Sequence, residues 1–215
     1  MTKRIITLVG YDALAEEYQS IYGDNPGTIK ALNWLATNLK KWPHSTILDV
    51  GSGTGIPTAR FLVDKEFKVI GLDNSMKMIT ISRQNVPEAT FKEINIKRNL
   101  LEIFDNDTKI NFQAITAFFT LLHIEKSIFK RVLRNIIDLL QPGGFFILSM
   151  INGNIDEEGL FLNQKAHFTA YNEDDLVEIL QELGLNILEI DYNEFKPNIE
   201  FSEVEDQIYF YCKKI

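Results

Sequence analysis

The chain of 215 residues carries 30 acidic against 22 basic side chains, a net charge of −8, with 45% hydrophobic and 24% charged residues. This is the balance of an ordinary globular domain that buries a core without staples, and it lacks the basic excess that nucleic-acid phosphates attract, so a nucleic-acid partner is disfavoured. No apolar run reaches the roughly 20 residues that cross a bilayer, MTKRIITLVGYD is too weakly apolar for a secretory leader, and the lone Cys212 offers neither an internal disulfide nor a thiolate metal cluster. One cytoplasmic domain with no membrane partner and no metal is the expectation.

In chain order, two helical stretches come first, over about residues 11–22 and 26–40, the second opened by Asn25-Pro26 as cap and first turn. Short runs rich in β-branched and aromatic residues then read as buried strands: 46–50, 68–72, 90–94, 114–118, 145–150, 186–190 and 207–212. Between 125 and 140, Phe129, Val132, Leu133, Ile136 and Leu140 share one helical face, and Pro142-Gly143-Gly144 reads as the stop. From about 172 to 183 another helix has acids at its positive end, a stripe of Leu176, Ile179, Leu180 and Leu183, and Gly184 as a left-handed cap.

Alternating strands and helices imply a parallel sheet with helices on both faces, a doubly wound α/β layout, because parallel neighbours need crossovers. The last two strands, joined by polar residues 191–206, are expected to pair as a hairpin with the final strand antiparallel. Residues 152–170 carry no readable pattern, and no repeat or linker divides the chain.

The first strand runs into ILDVGSGTG, with a helix expected from near Ile56, so Gly51, Gly53 and Gly55 fall at the carboxyl edge of the sheet, where such folds bind ligands. Asp73, in VIGLDNS, ends the second strand 22 residues after Gly51, where a carboxylate accepts from both hydroxyls of a ribose. A dinucleotide fingerprint would place glycine at position 56, which is Ile56, and Asp49 would repel a pyrophosphate while it could receive a protonated amine. An amino-acid tail therefore suits the turn better than NAD, although an NAD-dependent oxidoreductase stays as an alternative.

The segments ILDVGSGTGIPTARFL, VIGLDNSMKMI, FKEIN, FQAITAFFTLLHI and LLQPGGFFILSM together resemble the class I S-adenosylmethionine-dependent methyltransferases, in particular those acting on small molecules, over about residues 11–213. The resemblance implies a seven-stranded sheet of order 3-2-1-4-5-7-6 with the last strand antiparallel, N-terminal lid helices within 1–44 and a cofactor-binding core over 45–215. It assigns Asp49 and Gly51, Ser52, Gly53, Thr54 and Gly55 to the methionine moiety of S-adenosylmethionine, and Asp73 to the ribose. Asn74, Met78, Asn95 and Ile96 fall to the adenine, Ala117 and Phe118 to the sulfonium region, and Tyr18 to a helix closing over the cofactor. Asn95 departs from the family, which commonly has aspartate there; its carbonyl oxygen is still an acceptor.

Methyl transfer from a sulfonium mainly requires alignment and exclusion of water, and a base only if the acceptor must lose a proton. His123 in LLHI is the first candidate for that base, against a packing role beside the cofactor. His167 and Tyr171 are second candidates or anchors of their loop, and His44 reads as a surface residue. Phe118, Phe119, Phe161 and Phe168 are candidate walls of an acceptor pocket. The stretch Thr116-Ala117-Phe118-Phe119 lacks the proline turn of nucleic-acid amino-methyltransferases, and a single thiol excludes arsenic methylation. A small-molecule acceptor with an O, N or S nucleophile is expected; the alternative is a protein that binds the cofactor without transferring methyl.

Overall fold

The computed structural model describes residues 10–105, 112–161, 164–200 and 202–215. Helices α1 (Tyr11–Tyr22) and α2 (Pro26–Asn38) precede the sheet. Strands and helices then alternate: β1 (Thr46–Val50), α3 (Thr58–Asp64), β2 (Lys68–Asp73), α4 (Met76–Asn85), β3 (Thr90–Glu93), α5 (Leu100–Asp105), β4 (Phe112–Phe118), α6 (Lys126–Ile137) and β5 (Leu140–Ile151). The chain closes with β6 (Ile155–Phe161), β7 (Gln164–Ala170), α7 (Glu173–Glu182), β8 (Leu185–Phe195) and β9 (Glu205–Lys214).

The sheet has the order β3-β2-β1-β4-β5-β9-β8, in which β9 runs antiparallel to both neighbours. This is the expected order with the last two strands renumbered, because β6 and β7 form a separate two-stranded hairpin. Side chains alternate across the sheet as the pleat requires. Leu48, Val50, Phe146, Leu148, Ile208 and Phe210 face the core beneath α5, α6 and α7, whereas Ile47, Val69, Ile147, Tyr209 and Tyr211 face α2, α3 and α4.

Asn25 caps α2 as expected, its Oδ1 accepting from Gly27 N at 3.0 Å, while its Nδ2 donates to Gln207 Oε1 at 2.8 Å. That pair ties α2 to the start of β9. Asn172 caps α7, and Gly184 follows it at φ +80.

Three expectations need correction. The helix over 125–140 stops at Ile137, Leu140 already belongs to β5, and Pro142-Gly143-Gly144 lies inside that strand beside a register shift against β4. The helix after the glycine turn begins at Thr58 rather than near Ile56. Residues 152–170 hold the β6–β7 hairpin, which packs Ala166, Phe161 and Phe168 against Leu14 and Tyr11 of α1. Three consecutive acids, Asp156, Glu157 and Glu158, fall on both faces of β6 and Gly159 stands opposite Ala166, so the strand period is lost in the sequence.

Candidate functional site

The turn after β1 folds back onto β2: Gly51 N and Ser52 N both donate to Leu72 O, at 2.7 and 2.8 Å. Gly51 has φ +73, and a Cβ there would lie 2.0 Å from Thr120 Oγ1, so glycine is required twice over. Gly53 has φ +52 with open space where a Cβ would stand, and its N–H donates to Asp73 Oδ2 at 2.9 Å. Ser75 N donates to Asp73 Oδ1 at 2.9 Å. The carboxylate is thereby fixed in orientation with lone pairs to spare. Burial raises its pKa above the usual carboxylate range, against the lowering by these amides.

Two arms of a groove meet at Gly51, Gly53, Tyr18, Phe118 and Phe119. One arm runs past Asp73, Asn74, Met78, Asn95 and Ile96; the other runs past Ser52 and Thr54 towards Asn25 and Thr28 of α2. At the base of the turn Asp49 is 2% exposed, its Oδ1 accepting from Thr116 Oγ1 at 2.9 Å. Asp49 Oδ2, Ser52 Oγ and Thr54 Oγ1 are buried without a hydrogen-bond partner. Burial pushes the Asp49 carboxyl up to about 7. Orphaned polar atoms are costly, and a carboxylate beside two hydroxyls is what a zwitterion bearing an ammonium and a carboxylate would satisfy.

Helix α1 lies over the groove. Asp12 accepts from Ser75 Oγ and from Lys77 N at the start of α4, and Glu16 pairs with Lys77 at 2.8 Å. Beneath α1 is a second cavity of about 300 Å³, walled by Tyr11, Tyr18, Tyr22, Phe119, Phe161 and Phe168, with His123 and Glu205 as its titratable side chains, other than the phenols, among the described residues. His123 bridges the spaces: Nδ1 lies 2.7 Å from His167 O and Nε2 lies 2.8 Å from Tyr11 Oη. A carbonyl only accepts, so Nδ1 carries the proton and Nε2 accepts a hydrogen bond from the Tyr11 hydroxyl. Burial holds the imidazole below its usual pKa. Phe119, at the rim of β4, has φ +51, a conformation costing about 1–2 kcal/mol outside glycine. Its N–H is pinned by Ser149 O and Ser149 Oγ at 3.2 and 3.1 Å.

Most residues singled out in the sequence converge here, but not all. Ala117 points into the core beneath the sheet, away from the groove, because strand alternation gives the groove to Phe118. Gly55 sits behind the turn against Phe91, Val86 and Ser82. The carbonyl oxygen of Asn95 already accepts from Lys97 N at 2.9 Å, leaving one lone pair for a ligand. The His167 side chain turns to Asp156, at 2.8 Å, and only its carbonyl serves the site. Tyr171 is buried against Phe129. His44 is exposed, as expected. Sequence reasoning missed Glu205, Asn25 and Thr120 as groove or cavity residues; Asn25 was legible as a cap, whereas Glu205 is one acid among several in a polar stretch.

Strand order, edge groove and the acid at the end of β2 define a doubly wound domain of the methyltransferase type. Residues 27–190 match the methyltransferase domain family, and the chain belongs to it. It is 26% identical over 141 residues to a ubiquinone biosynthesis O-methyltransferase of Paracidovorax citrulli, covering 66% of this chain and 56% of that protein. The chain thus spans little more than half the length of that relative. With the protein of that name from Shewanella pealeana the identity is 27% over 198 residues, 92% of this chain and 75% of the other. The fold matches Burkholderia thailandensis 1,6-didemethyltoxoflavin-N1-methyltransferase, solved with 1,6-didemethyltoxoflavin and S-adenosylhomocysteine, at a TM-score of 0.71 and 14% identity, over 95% of this chain and 85% of that one.

The raised pKa of Asp49 has a measurable consequence. Its carboxyl ionises at about 7 when folded, against 3.8 ordinarily, so between those pH values the unfolded chain has lost a proton that the folded protein keeps. Stability of the ligand-free protein therefore falls as pH rises through that window. Asp49→Asn keeps an acceptor for Thr116 and removes the titration. Urea melts at about pH 4.5 and 7.5 should show the variant gaining about 1–4 kcal/mol on wild type over the interval, and parallel curves would refute the assignment.

Proposed function

We propose that the protein transfers the methyl group of S-adenosylmethionine to a small-molecule acceptor held in the cavity under α1. The observation that carries this reading is the set of unpartnered atoms at the end of β1 and in the turn that follows, Asp49 Oδ2, Ser52 Oγ and Thr54 Oγ1, beside the Gly53 amide that donates to Asp73. Asp49 would receive the amino group of the methionine tail and the hydroxyls its carboxylate, while Asp73 would accept from the ribose and Met78, Asn74, Asn95 and Ile96 would surround the adenine. When bound, the cofactor supplies an electrophilic methyl group on a sulfonium. Phe118 and Phe119 lie where the two arms join, and their apolar rings would keep water from that junction.

His123 would take the acceptor's proton. Its ring is neutral at pH 7, because burial lowers its pKa, and its basic Nε2 faces the Tyr11 hydroxyl on the shared wall of groove and cavity. The Tyr11 phenol, raised by burial, stays protonated and can pass a proton to Nε2 as it receives one. Helix α1 would act as a lid, since its contacts with α4, His123 and Glu205 span both spaces.

Asp73→Ala should weaken S-adenosylhomocysteine binding by about tenfold to more than a hundredfold in calorimetry, the loss of a charge-assisted partner. Saturable micromolar NAD binding, or unchanged affinity in a folded variant, would count against the reading. His123→Asn should hold cofactor affinity within about threefold yet lose about 10²- to 10⁴-fold in turnover. It should also lose the rise of rate with pH, which the lowered pKa places below 6.5. A variant with near-native turnover assigns His123 to packing. Amide exchange across residues 11–22 should slow when S-adenosylhomocysteine is added; exchange there that ignores the ligand contradicts a lid.

A further inference from the structure

We propose that the cavity under α1 is an ammonium site in which Glu205 and the surrounding rings select an organic amine as the methyl acceptor; this rests on the methyltransferase function proposed above. Among the described residues lining the cavity, Glu205 is the one carboxylate and there is no lysine or arginine. Its Oε1 accepts from the Tyr22 hydroxyl at 3.2 Å and its Oε2 from Gln207 Nε2 at 3.0 Å. Both partners are neutral, so they orient the carboxylate without balancing its charge. Burial accordingly lifts its pKa, an energetic cost that a cation in the cavity offsets.

The walls fit the same ligand. Tyr11, Tyr18, Tyr22 and Phe161 form a closed circuit of ring contacts, with centroids 5.9, 5.1, 6.1 and 5.9 Å apart. Aromatic surface with a single carboxylate is the chemistry that recognises an ammonium carrying an apolar body. An anionic acceptor would meet Glu205 with no counter-charge, and a neutral phenol or alcohol would leave that partly buried charge unbalanced. Tyr18 feels both Asp73 and Glu205, so the two spaces are electrostatically continuous at α1.

The amine choice also gives His123 its proton. A bound ammonium is not a nucleophile until its proton passes to His123 Nε2, directly or through Tyr11. The freed nitrogen lone pair then forms the N–C bond while the methyl–sulfur bond breaks and its electron pair stays on sulfur as a thioether. The methylated nitrogen carries the positive charge that the sulfonium loses, and Glu205 faces the same net charge before and after.

Calorimetry of the full chain saturated with S-adenosylhomocysteine, titrated with phenethylamine, 2-phenylethanol and phenylacetate, tests the site. Phenethylamine should bind at least tenfold more tightly than the alcohol, and phenylacetate more weakly than either. Glu205→Gln should abolish the preference for the amine while alcohol binding remains. Equal or tighter binding of the alcohol by wild type, a preference that survives Glu205→Gln, or no binding of any of the three overturns the proposal. The wild-type ratios decide alone if the variant does not fold. Saturation by S-adenosylhomocysteine is read first in the same cell: its failure strikes the proposed function, whereas its success without an amine preference strikes only the ammonium site.

Discussion

The Asp73 carboxylate, held between Gly53 N and Ser75 N, is the contact on which the ligand edge of this protein depends. One oxygen closes the turn after β1 and the other fixes the entry to α4. Because Leu72 O accepts from Gly51 N and Ser52 N just before it, the end of β2 sets the course of the turn as well as its own. Backbone donors that a buried turn would otherwise leave unpaired are thus consumed by the strand next door. The carboxylate is in turn raised in energy by burial and by Asp12 nearby. A site built this way is stable enough to fold and uncomfortable enough to favour a ligand.

The same economy governs the junction of groove and cavity. Phe119 keeps its left-handed backbone because Ser149 on β5 holds its N–H, and that places Phe119 where groove and cavity meet. The tyrosines of α1 then separate Asp73 on one side from Glu205 on the other, and their buried phenols add no charge of their own. Alignment of two ligands is the main demand of a displacement reaction, and strand ends under a crossing helix are the kind of scaffold on which the proposed transfer would rest.

How much of this was legible differs element by element, for identifiable reasons. The central strands were visible because buried runs of β-branched and aromatic residues report burial on both faces, α2 was visible through its cap at Asn25, and α7 through the acids of its first turn, its apolar stripe and Gly184. The end of α6 was misplaced, because Leu140 continues the helical apolar stripe while β-pairing with Phe112 claims it for β5. The β6–β7 hairpin was invisible because the consecutive acids Asp156, Glu157 and Glu158 break the apolar alternation, and its apolar residues pack on α1, a partner some 150 residues earlier in the chain.

By itself the sequence determined the doubly wound fold, the glycine turn and the acids at the ends of β1 and β2. Local backbone chemistry and apolar periodicity suffice for these: a left-handed glycine, a buried strand and the residue that ends it are properties of neighbours along the chain. Only the tertiary structure decided that Asp49 Oδ2 lacks a partner, that Ala117 faces the core, and that Tyr11 meets His123 across 112 residues of chain. It likewise brought Glu205 to Tyr22 beneath α1. Hydrogen bonds, desolvation and cavity walls arise between groups distant in sequence, and no one-dimensional pattern carries the distances on which their energies depend.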